Sequence, residues 1–130
     1  MFIFFILDEC CVHIEVYYET KNEAYENQFQ VYGTYTKLSE TVNGHSHYQS
    51  DFDGGGFGIW WCYDDYMSLS YWTISDTIDL GECLGYVGSI SGILEKCVHN
   101  VGWNWEYVDE YSNAWMEAGE GLGIRCIGMH

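Results

Sequence analysis

Apolar and polar residues alternate with a period of two over several short stretches of the chain, and turn-forming residues separate them. Cys11–Tyr18 (CVHIEVYY), Phe29–Leu38 (FQVYGTYTKL) and Trp103–Val108 (WNWEYV) place every second side chain on one face. That is the pattern of a strand with one buried face. The longest region of strand-like runs separated by turn signals goes from Asn43 to Ile74. Asn43-Gly44 is a hairpin turn signal, and a short strand ends at Tyr48. Gly54-Gly55-Gly56 forms a hinge before an apolar-aromatic run, Phe57–Tyr63. The acidic turn Asp64-Asp65 leads into a second run centred on Tyr71-Trp72-Thr73-Ile74. Punctuation at intervals of roughly 8–12 residues predicts strand–turn–strand–turn–strand, with the rest of the chain covering both faces of this meander.

The remaining segments are read the same way. Glu19–Gln28 is polar and predicts a loop, or one or two helical turns. Gly33, inside a strand pattern, marks a bulge or a close approach. Ser75–Gly81 is a loop, Cys83–Ile93 a glycine-punctuated strand or strand pair, and Leu94–Gly102 an excursion around Cys97. Glu110–Ala118 is a short helix or a turn plus strand, and Gly123–Met129 is a closing strand.

Met1–Leu7 is an apolar run with no basic residue before it and no small-residue cleavage site, too short to span a bilayer and a poor signal peptide. An uncharged apolar strand is an aggregation hazard unless something pairs with it. Phe2, Ile3, Phe4, Phe5, Ile6 and Leu7 are therefore expected either in the core of their own domain or donated to a neighbour's sheet. The expected organisation is an N-terminal strand over residues 1–10 and a single β domain over 11–130.

Composition reinforces the β reading. Of 130 residues, 18% are aromatic, with twelve Tyr and six Trp, while fifteen Gly supply turns. Aromatic and β-branched residues favour pleated, half-buried surfaces. The expected fold is all-β, a single antiparallel β-sandwich or distorted barrel stabilised by disulfides. Proline is absent, which removes slow X-Pro isomerisation from folding. The net charge of −16, four Lys plus Arg against twenty Asp plus Glu, disfavours nucleic acid and anionic membrane surfaces, both of which demand a basic footprint. It leaves solubility, divalent cations or a cationic partner as uses for the charge.

Six cysteines is an even number and dense for a reducing compartment. Cys10 and Cys11 are adjacent and do not readily bond each other. The preferred arrangement is Cys83–Cys97 across a local excursion, with Cys10 and Cys11 taking Cys62 and Cys126 in either order. No Cys/His spacing argues for zinc, and the framework points to an extracellular location.

The order of the aromatic motifs carries a resemblance. Tyr32-Gly33-x-Tyr35, Asn43-Gly44-x-x-x-Tyr48, Phe57-x-Ile59-Trp60-Trp61, Trp72-x-Ile74, Trp103/Trp105 and Trp115 resemble a small extracellular β-rich module of secreted proteins of invertebrates and protists. The resemblance covers about residues 11–127. Where that module shows Arg-Pro-Val before its tyrosine, this chain has His45-Ser46-His47, and a later proline near His99-Asn100 is missing. The resemblance implies a β-rich building block of matrix and surface proteins.

Candidate chemistry is sparse. His45-x-His47 puts two imidazoles on one face of a strand, although paired histidines near a turn are commonly plain polar residues. Asp51-x-Asp53-Gly54 begins like a calcium loop but lacks the later ligands. Calcium would need Asp51, Asp53, Asp64 and Asp65 to converge from neighbouring turns, against the simpler reading of solvated acidic turns. No cofactor is otherwise expected. Ser, His and Asp occur without a nucleophile-elbow signature, and no enzyme is expected. The leading expectation is a secreted structural subunit that self-assembles into a fibre or surface layer, its partners being copies of itself. The alternative is a carbohydrate-binding, lectin-like module assisted by calcium. Neither reading involves nucleic acid or membrane insertion.

Overall fold

The computed structural model describes residues 10–92 and 94–128; the apolar run Phe2–Leu7 lies outside the described residues. The strands are β1 (His13–Tyr17), β2 (Gly33–Val42), β3 (His45–Ser50), β4 (Phe57–Asp64), β5 (Leu69–Asp76), β6 (Val87–Ser89), β7 (Trp105–Val108), β8 (Trp115–Glu117) and β9 (Gly123–Cys126). They form one antiparallel sheet in the order β8-β7-β6-β5-β4-β3-β2-β1-β9, curled into a half-barrel. The expected all-β antiparallel fold is present, in its barrel-like form. The single α-helix among the described residues, α1 (Glu23–Gln28), is capped by the Asn22 side chain, which accepts from the Ala24 amide at 2.9 Å.

Local chemistry explains the hairpins. Asn43 and Gly44 both adopt positive φ, 52° and 84°, as a two-residue hairpin turn with the sheet's twist requires. The Asn43 side-chain amide also donates to the Trp61 and Gly81 carbonyls. Gly33 has a φ of +140°, and a Cβ there would lie 2.6 Å from the Phe52 ring, so it marks a close approach. The bulge in β2 falls further on, between Lys37 and Thr41.

The concave face carries the core. Ile14 and Val16, Tyr35, Tyr48, Ile59, Trp72, Ile74, Val87, Trp105, Tyr107 and Ile124 are all buried there. Val31, Val98, Val101 and Leu122 close it from the connections. Buried hydroxyls find partners: Tyr35 donates to the Val31 carbonyl at 2.7 Å, and Tyr48 donates to the Cys11 carbonyl. Because β9 pairs with β1 while β8 ends the other side of the sheet, the short link 118–122 joins the two outermost strands and draws the sheet into its curl.

The cysteine pairs are Cys10–Cys97, Cys11–Cys126 and Cys62–Cys83. Cys11–Cys126 is one of the expected alternatives, whereas Cys83–Cys97 and Cys10–Cys62 do not form. Strand alternation is the physical reason. Ile59 faces the core, so Trp60 and Cys62 point to the opposite face of β4, where both are nonetheless fully buried. The segment 77–86 folds back over that face. Trp60 Nε1 donates to the Glu82 carbonyl at 3.0 Å, and Cys83 meets Cys62 at a Cα–Cα distance of 5.5 Å. Cys97 instead opens the turn that packs on β9, beside Cys10.

Candidate functional site

The outer face of β5–β8 is covered at Thr73, which is fully buried, but Tyr71, Glu106, Trp115 and Glu117 are not, and these side chains can be placed by register. Thr73 on β5, Gly88 on β6, Glu106 on β7 and Glu117 on β8 lie in one row. Tyr107 and Val87 in the adjoining row face the core, so Glu106 and Glu117 face outward. Tyr71 shares the outward face of β5 with Thr73, and Trp115 shares that of β8 with Glu117. Gly88 carries no side chain, and a Cβ there would meet two ring carbons of Tyr71 at 3.0 Å. The absence of that Cβ leaves a trough of about 190 Å³ floored by Gly88 and Ser89. Tyr71 and Leu69 form one wall, Glu106 and Trp115 the other, and Asp64 and Met67 from the β4–β5 turn close one end.

The walls are chemically mixed. Trp115 and Met67 are 45% and 57% exposed, so the apolar surface is accessible. Asp64 holds its turn by accepting from the Met67 amide at 3.2 Å. Burial and then the facing Glu117 carboxylate push the Glu106 carboxyl above its ordinary range. Burial and then the Asp64 carboxylate push the Tyr71 hydroxyl up. Flat rings offer stacking surfaces for an apolar ring face. The carboxylates offer acceptors for hydroxyl or ammonium donors.

The expected calcium residues do not come together. Asp51 accepts from the Thr36 hydroxyl at 2.6 Å, and Asp53 sits in the turn before β4. Asp64 is the last residue of that strand and Asp65 follows it. The length of β4 from Phe57 to Asp64, roughly 23 Å for about seven rises of ~3.3 Å, separates the two pairs. His45 stacks on Trp61 at 4.8 Å between centroids, and His47 pairs with the Glu40 carbonyl at 2.8 Å, which gives each imidazole a packing role. Among the described residues, Cys11, His99 and Cys126 alone bring three ligand-type atoms together. Cys11 and Cys126 are bonded to each other, so they offer no thiolate.

Sequence reading missed Tyr71, Gly88, Glu106 and Trp115 as a group. The signals were present singly: a glycine within a strand pattern, an acidic residue on the polar face of WNWEYV, and a surplus of aromatics. No helix among the described residues is long and apolar enough to cross a membrane. No protein-family model, curated protein or solved structure matches the chain.

Proposed function

We propose that this protein is an extracellular, disulfide-tied binding module that takes a sugar ring in the trough between Tyr71 and Trp115. The observation that carries this reading is the floor at Gly88, which opens the outer face between two aromatic side chains. The apolar face of a pyranose stacks on such rings, and its hydroxyls donate to carboxylates such as Asp64 and Glu106. Three disulfides fit an oxidising location, and the acidic balance keeps the module soluble there.

Titration of tryptophan fluorescence with oligosaccharides tests the reading. Trp115→Ala and Tyr71→Ala are expected to weaken binding at least about tenfold, ~1.4 kcal/mol. Binding that survives both substitutions, or no binding by any oligosaccharide, sinks it.

A second reading is self-association by strand addition. The observation that favours it is β8, which ends the sheet with Trp115, Met116 and Glu117 all exposed. A sheet edge of this kind pairs with an extended apolar segment, and Phe2–Leu7 of a second copy has that composition.

A further inference from the structure

Within that reading of the trough as the binding site, we infer that its ligand carries a protonated amine, seated against Glu106 and the Trp115 ring. The chemical class is an amino sugar with a free amine, rather than a neutral or N-acylated one.

The first support is charge placed where strand pairing disfavours it. Glu106 and Glu117 are direct partners on β7 and β8, and like charges opposite each other are destabilising. Neither carboxylate has an ion-pair or hydrogen-bond partner among the described residues. All four basic side chains, Lys96 among them, are engaged elsewhere. Arg125 is held by Glu15 at 2.8 Å and lies over the Tyr17 ring, Lys21 lies over Tyr25, and Lys37 donates to the Cys10 carbonyl. A ligand cation is the group that would neutralise the Glu106–Glu117 pair.

The second support is the company the carboxylates keep. Trp115 precedes Glu117 by two residues and is the diagonal neighbour of Glu106, about 7–8 Å away along the sheet. On the other side, the Tyr71 ring overhangs Gly88, the direct partner of Glu106. An ammonium in this space lies beside carboxylate oxygens and two aromatic rings, and a cation over a ring face next to a carboxylate is the combination by which proteins hold cations. Asp64 at the end of the trough adds a third carboxylate. A trough of about 190 Å³ accommodates one ring and its substituents, so a longer oligomer would lie across the β5–β8 face.

Calorimetric titration at mildly acidic pH, with three oligomers of equal length, tests this. The probes are a glucosamine tetramer with free amines, its fully N-acetylated counterpart, and a glucose tetramer. The free-amine oligomer is expected to bind at least about tenfold tighter than the other two, with the preference shrinking as salt is added. Glu106→Gln is expected to abolish the preference while Trp115→Ala weakens all three; Glu117→Gln serves as a second charge variant, and melting curves check that each variant is folded. Equal binding of the three oligomers, or a preference that persists in both charge variants, overturns the amine and leaves the sugar reading intact. Butylammonium binding as tightly as the sugar amine overturns the sugar and leaves the amine. If no probe binds, both are wrong.

Discussion

Gly88 lies directly beneath the Tyr71 ring, and a Cβ built on it would sit 3.0 Å from the ring carbons Cδ2 and Cε2. Gly88→Val therefore forces the ring aside or fills the trough, and Gly88→Ala does so to a lesser degree. Overpacking of this kind costs about 1–3 kcal/mol where neighbours cannot give, but Tyr71 is only half-buried and can rotate outward. Both variants are expected to fold, with oligosaccharide binding falling at least about tenfold in Gly88→Val. Circular dichroism with fluorescence titration checks this; unchanged affinity in Gly88→Val would remove the trough as the site.

The Glu106 carboxyl gives a pH dependence of stability. Its folded value is raised by burial and by Glu117, so the folded state favours the protonated form. Its contribution is fully present below the ordinary glutamate value of about 4.3 and is lost as pH rises through the folded value. Glu106→Gln, which removes the facing-charge penalty, is expected to melt at a higher temperature than the parent at neutral pH. Below about pH 4 the two should melt alike. Cross-strand pairs of this kind are worth about 0.2–1 kcal/mol, so the gain should be small. A variant that is less stable at neutral pH would show that Glu106 has a stabilising partner.

Tyr35 sets an alkaline limit. Burial alone pushes its hydroxyl far above the ordinary tyrosine range, and Tyr32 and Tyr107 are raised too, burial again being the first cause. These groups favour the neutral form in the folded state. Their contribution is complete below the unfolded value of about 10 and is lost as pH climbs beyond it. Ultraviolet titration is expected to show these tyrosines ionising only as the fold is lost. Tyr35→Phe leaves the Val31 carbonyl without its 2.7 Å bond and should cost about 1 kcal/mol at neutral pH.

The disulfides should differ in weight. Replacing Cys62 and Cys83 by Ala opens a loop with a sequence separation of 21 and is expected to cost about 3 kcal/mol by the chain-entropy argument. It also loosens segment 77–86 over Trp60. Replacing Cys11 and Cys126, with a separation of 115, releases the pairing of β9 with β1 and should cost more. Thermal melts rank the two, and peptide mapping without reduction should return the three pairs given above.

Self-association through the N-terminal run is tested by a chain that begins at Asp8. Light scattering is expected to show loss of assembly with retention of the fold. Unchanged assembly, or an unfolded chain, would sink strand addition at β8.

The class of the fold is legible in the residues alone, because strand patterning and turn chemistry are local properties. His13–Tyr17 and Trp105–Val108 are strands where period-two patterns predict them, Phe57–Asp64 and Leu69–Asp76 are strands where apolar-aromatic runs between turn signals predict them, and Asn43-Gly44 is a turn because both residues accept positive φ. The short β6 and the edge strand β8 were legible only as alternatives, being three residues each. Tertiary structure decided everything that depends on register between distant segments. Cys62 faces away from the core only because Ile59 faces into it, and that orientation, not sequence distance, selected Cys83 as its partner. The trough required Tyr71, Gly88, Glu106 and Trp115 to fall in adjacent rows of four strands. Side-chain pattern gives each strand its faces, but only the paired sheet sets which outward residues become neighbours.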